Sequence, residues 1–90
     1  MKVVLNGKEM KTRDELHNTL KLKLDLPDYY GNNLDALWDC LTGWVDLPLT
    51  IKWINFNKSK LYLGEYAEKT RDIFQDAQNE LQDFYIEIIN

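Results

Sequence analysis

Runs of strand-type residues in this chain never follow one another directly. Val3, Val4 and Leu5 lead into an Asn6-Gly7 turn, and Leu49, Ile51 and Trp53 alternate with Thr50 and Lys52 after Pro48. Phe84, Ile86 and Ile88 close the chain as a third run, with Tyr85 and Ile89 on the opposite side. Helical spacings fill both intervals. Strands joined through helices are usually parallel, with right-handed crossovers, so the expected class is α/β, a small sandwich of three strands and the helices between them. The pattern leaves the strand order open.

Local signals place the helices. Thr12-Arg13-Asp14-Glu15 fits a capping box, with the Thr hydroxyl on the Glu15 N–H and the Glu carboxylate reaching back to the cap. Leu16, Leu20 and Leu24 recur every fourth position behind it, although Leu20 to Leu24 also alternates like a strand. Pro27 ends this helix near Leu24 or Asp25, because proline disfavours helical backbone at the residue before it. Asp28 to Asn33 reads as a loop, and Asn33 is a good N-cap for a second helix from Leu34 to about Gly43. On that helix Leu34, Leu37, Leu41 and Val45 share one face. Asp35, Asp39 and Thr42 fall on the other, with Ala36 and Gly43 beside them and Trp38 at the border. Asn55 to Leu63 is a short helix stopped by Gly64, and Tyr66, Thr70, Ile73, Phe74, Ala77 and Leu81 form a stripe over four turns. His17, one position from the Leu16 stripe, is expected at a helix boundary and capped by a neighbour. Cys40 is expected half-buried and Trp53 in the core.

Ninety residues suit one domain, 1–90, and bury too little surface to spare a deep enzyme cavity. With 44% apolar and 29% charged residues the chain is too hydrophobic to stay disordered. Val3 to Leu5 is too short for the apolar core of a secretory signal, and no run approaches a membrane span, so a cytoplasmic location is expected. Cys40 is the only cysteine, which excludes an intrachain disulfide, and with a single His it argues against zinc; neither cofactor nor metal is expected. A net charge of −4 argues against a nucleic-acid backbone, where Lys and Arg supply the affinity, and toward a basic protein partner.

From Leu24 to Ile51 the chain has five aspartates (Asp25, Asp28, Asp35, Asp39, Asp46), Tyr29, Tyr30, Trp38 and Trp44, and no Lys or Arg. Asp35 and Asp39, four apart on one helical face, sit about 6 Å apart at Cβ and repel by about 0.7 kcal/mol in water, rising to about 3 kcal/mol at an effective dielectric near 20. Covering them calls for an external cation. Asp35 gains a little from the helix N-terminus; Asp39, a turn further in, gains little and is the residue that folding explains least. Nearby Tyr and Trp are side chains enriched in interface hot spots, and small Ala36 and Gly43 admit a close approach. Catalysis by the same pair would need one carboxyl in a sheltered apolar pocket, and no nucleophile motif, phosphate loop or metal-ligand cluster accompanies it, so the chain is not expected to be an enzyme. Glu65, Glu68, Asp72, Asp76 and Glu80, with Lys69 among them, form a second acidic ridge of the kind that solvates an amphipathic helix.

The twenty residues from Leu26 to Val45, LPDYYGNNLDALWDCLTGWV, closely resemble the matching stretch of the barstar family, intracellular inhibitors of barnase-type secreted ribonucleases. The resemblance spans almost the whole chain and is dense over that segment. It implies three parallel strands with about four helices, and inhibition by occlusion, with carboxylates standing in for RNA phosphates. Carried onto this chain, Tyr29 would cover the active-site histidine, Asp39 would enter the phosphate pocket and Asp35 would pair with a basic residue at the rim. Asn33, Trp38, Thr42, Gly43 and Trp44 would supply packing and backbone contacts. Asp76 stands where the family has Glu and reaches one methylene less far, and Gln82 replaces a family cysteine. The expected partner is a small basic ribonuclease bound one to one by a chain that is monomeric when free. The alternative is an acidic binding module for another cationic protein.

Overall fold

The computed structural model describes residues 1–90. Strand β1 (Lys2–Asn6) leads through a 3-10 turn (Gly7–Glu9) to helices α1 (Arg13–Lys23) and α2 (Leu34–Gly43). Strand β2 (Leu49–Ile54) is followed by α3 (Phe56–Leu63), α4 (Glu65–Glu80) and the final strand β3 (Phe84–Ile88). The sheet order is β1-β2-β3 and both pairings are parallel, with Val3 opposite Ile51 and Ile51 opposite Ile86. Two crossovers of the same hand that step in the same direction leave their helices on one face of the sheet. Val3, Leu5, Leu49, Ile51, Trp53 and Phe84 accordingly turn inward, while Lys2, Val4, Tyr85 and Glu87 face out. One-sided burial is why these parallel strands alternate instead of reading as continuous apolar runs. Side chains occupy the two edge strands: the Lys23 ammonium donates to the Val4 carbonyl at 2.6 Å, and the Gln78 amide oxygen accepts from the Ile86 N–H at 2.8 Å. Such cover discourages a further strand from adding.

The helix boundaries follow their caps. The Thr12 hydroxyl accepts from the Glu15 N–H at 3.1 Å, but the Glu15 carboxylate bonds that hydroxyl at 3.3 Å instead of the backbone N–H that the capping box leads one to expect. Leu20 to Lys23 resolves as helix, with Leu24 as its C-cap, despite the alternation. The end of α1 is set by Asp25, whose backbone is left-handed at φ 52°, and by a Leu26 N–H to Lys21 carbonyl bond of 2.9 Å that closes a Schellman turn. Gly7 answers a different demand. A Cβ there would fall inside contact distance of the Asn55 carbonyl and 2.6 Å from the Ser59 hydroxyl oxygen. That same hydroxyl accepts from the buried Trp53 indole N–H at 2.9 Å.

His17 departs from its expected place at a boundary. It is 0% exposed, with Nδ1 2.7 Å from the Tyr30 hydroxyl and Nε2 2.5 Å from that of Tyr66. A neutral imidazole offers one donor and one acceptor, which suits two hydroxyls that each do either. The bonds tie α1 to the loop before α2 and to α4. Cys40 is likewise buried, not half-buried, and Trp53 lies in the core as expected.

Burial lowers the pKa of His17 from its ordinary 6.5, with Asp14 opposing more weakly. The unfolded chain then binds more protons than the native one below pH 6.5, so stability falls as pH drops from 6.5 toward the lowered native value and is unaffected by this group above it. Urea unfolding between about pH 5 and pH 7.5 is expected to show that decline, and His17→Gln to flatten it while lowering the neutral plateau; an unchanged slope in the variant would contradict the assignment. Gly7→Ala is expected to destabilise by about 2 kcal/mol or more, read as a lower urea midpoint at constant slope, because the obstructing atom is backbone.

Candidate protein-binding face

Helix α2 is divided lengthwise. Leu37, Cys40 and Leu41 are buried, while Asp35, Asp39, Thr42 and Gly43 are exposed and Trp38 lies between. Burial of the back fixes which residues form the front. The start is set by Asn33, whose side-chain oxygen accepts from the Ala36 N–H at 2.7 Å while its amide donates to the Gly31 carbonyl at 3.2 Å. Asn33 thus has a local task, and what it can offer a partner is its remaining capacity. The Thr42 hydroxyl is similarly engaged, donating to the Trp38 carbonyl at 2.8 Å.

The preceding loop treats its two tyrosines oppositely. Tyr30 is buried with its hydroxyl on His17, and burial, reinforced by Cys40 and Tyr66, pushes its pKa far up, so it stays a phenol. Tyr29 is 80% exposed and meets the Trp44 ring edge-on at 6.3 Å. The Trp44 indole N–H donates to the Asp25 carbonyl at 2.9 Å, which fastens the far end of α2 to the end of α1. A Cβ on Gly43 would meet nothing within 4 Å, so nothing in this chain requires a glycine there.

The electrostatics are one-sided. The only ion pair within 4 Å joins neighbours Arg71 and Asp72 at 3.2 Å, so Asp35 and Asp39 have no internal counter-ion. The fold nevertheless brings two cations closer than the sequence suggests. Arg13 and Lys69 share a depression with Asn33 and Asp35, and Arg13 is held over the Tyr66 ring at 4.2 Å. On the other flank Trp38 shares a depression with Ile73, Asp76 and Glu80 of α4. Asp76 is therefore brought beside α2, and so is Glu80, a residue that sequence reasoning left in a solvated ridge. Its spacing of four from Asp76 was the available signal.

The candidate residues thus form one surface: Tyr29 and Trp44 at one end, Asp35, Asp39, Thr42 and Gly43 along α2, and Trp38 with Asp76 at the flank. Cys40, the lone thiol, is buried and its pKa raised by burial and by Asp39, which keeps it protonated and inert. No three His, Cys, Asp or Glu residues are grouped to hold a metal ion, and no helix is long and apolar enough to cross a membrane.

Comparison with known proteins identifies the family. Residues 1–89 match the family model described as "Barstar (barnase inhibitor)". The chain is also 53% identical over 88 residues to the Bacillus subtilis (strain 168) protein named "Putative ribonuclease inhibitor YrdF", covering 98% of this chain and 97% of that protein. A match over all but the last residue, on three parallel strands and four helices, establishes that the chain belongs to the barstar family.

Proposed function

We propose that the chain inhibits a small basic ribonuclease of the barnase type, one to one, by seating the front of α2 and the Tyr29 loop in its active site. The observation that carries the reading is Asp39: exposed in mid-helix, beside Asp35, with no cation of its own chain within ion-pair distance. A nuclease active site is built from cations that bind phosphate, and carboxylates fixed on a rigid helix present the same charge without a scissile bond. Tyr29 and Trp44 add aromatic area around that charge, and Trp38 with Asp76 extends it onto α4. Family membership and the relative's name support the same reading. The inhibitor acts in the cytoplasm as a monomer that becomes one half of a heterodimer.

Charge also governs the encounter. Opposed fields between an acidic face and a basic cleft raise association rates by factors of about 10 to 10³, and salt removes the gain. Dissociation, set by short-range contacts, responds less.

Barnase cleaving RNA is the direct assay, and the chain is expected to abolish turnover at a one-to-one ratio. In calorimetry Asp39→Ala is expected to weaken the complex by about 3 kcal/mol or more, since it leaves a desolvated cation unpaired, whereas Asp72→Ala changes it by less than about 0.5 kcal/mol. Equal effects would remove Asp39 from the interface. Raising salt from about 0.05 M to 0.5 M is expected to slow association at least tenfold with a much smaller change in dissociation; a salt-independent association rate would contradict the electrostatic account.

A further inference from the structure

Beside the front of α2 lies a second concave surface, of which the inhibitor reading uses only Trp44. It is a cleft of about 530 Å³ at the junction of the α1 end, the chain start and the loop after α2. Leu24 and Val45, its least exposed lining residues, form the floor, and Trp44, Leu47 and Pro48 form the walls. Asp25 and Asp46 are the acidic residues of its lining. Neither is in an ion pair, and it is the carbonyl of Asp25, not its carboxylate, that receives the Trp44 indole N–H. The one cation present, the Met1 ammonium, is engaged by the Pro48 carbonyl at 2.8 Å. Two carboxylates against one ammonium leave the lining with a net negative charge.

An apolar trough with an indole wall and carboxylates at its edge suits a long aliphatic stem ending in a delocalised cation. The stem lies on Leu24 and Val45 while the head remains near water. A guanidinium can stack on the half-exposed Trp44 ring and bond a carboxylate in the same pose, whereas an ammonium is more strongly hydrated and gains less from the ring. The cleft is also continuous with the α2 front, because Trp44 borders both and its ring touches that of Tyr29.

We propose that this cleft receives an arginine side chain from the rim of the same nuclease whose active site α2 closes, as a second anchor outside the catalytic centre. The assignment rests on the inhibitor reading above and names a determinant of which nuclease is chosen. Loops around an active site vary more than the catalytic groups inside it, so a pocket that reads the rim discriminates among enzymes of identical chemistry.

The test is the double variant Asp25→Asn with Asp46→Asn. Asn is isosteric with Asp and tolerates the left-handed backbone at position 25, so the melting temperature is expected to hold; Asp46→Asn alone provides the same readout if the double variant folds poorly. Dissociation is measured from the most tightly inhibited member of a panel of small basic ribonucleases, barnase included. It is expected to be about fivefold faster or more, with association slowed no further than by Asp72→Asn with Glu65→Asn, which removes the same charge at a distance. In parallel, N-acetyl-arginine amide is titrated by NMR and is expected to move the Trp44 indole N–H resonance in the unaltered chain and not in the double variant, with N-acetyl-norleucine amide producing no such shift. Unchanged dissociation with inhibition intact, or arginine shifts that survive the double variant, overturns the cleft's role and leaves the inhibitor reading standing. Failure of the unaltered chain to inhibit any nuclease of the panel removes the inhibitor reading and this assignment with it.

Discussion

One imidazole buried between two phenols joins the three parts of the chain that shape its exposed face. His17 comes from α1, Tyr30 from the loop before α2, and Tyr66 from the first turn of α4. The His17 ring is fully buried, so both its nitrogens depend on these two hydroxyls, and moving any one part leaves a buried polar atom unpaired. The consequence reaches the surface through a single peptide unit: fixing Tyr30 fixes the backbone that carries Tyr29 outward. A loop held in this way has less motion to lose on binding, which is how rigid inhibitors keep the ordering penalty of association small.

Helix α2 works by division. Its apolar residues anchor it, and the anchoring forces Asp35 and Asp39 into water on the same side, where like charges four residues apart weaken the helix instead of supporting it. Asn33 stabilises the helix start, and the Trp44 indole bond to the Asp25 carbonyl fastens the region after its end. Local fastening at both ends offsets a charge pattern that is locally unfavourable. The pattern becomes favourable only against a cation supplied from outside, and two cations of the chain, Arg13 and Lys69, share a depression with Asp35 without pairing to it. On the proposed mechanism, stability and function pull in opposite directions at these two aspartates. A front that is strained when bare and relieved when covered is what the proposed mechanism requires.

Much of the fold could be read from local signals because α1 and α2 begin on side chains whose partners lie within a few residues. Thr12 and Asn33 are such cases, as is the alternation in β2, which survives because only one face of the sheet is buried. The acidic and aromatic front of α2 was legible for the same reason, being carried by one contiguous segment. What escaped was set by distant chain. His17 has its partners 13 and 49 residues away, and nothing next to it signals burial. The cations near Asp35, the placing of Asp76 and Glu80 beside Trp38, and the cleft under Trp44 likewise arise where elements far apart in sequence meet. The left-handed turn at Asp25 was hidden differently, since Pro27 already accounted for the end of α1.

The central claim is that the front of α2 occupies the space that RNA phosphates occupy in a ribonuclease. Competition measures this most directly: a fluorescent nucleotide bound in the active site of barnase is titrated with the chain, and the apparent affinity of the chain is followed as nucleotide concentration rises. The account predicts mutually exclusive binding, with full release of the nucleotide and an apparent dissociation constant that grows linearly with its concentration. A ternary complex, in which the nucleotide stays bound while the chain saturates the enzyme, would contradict it.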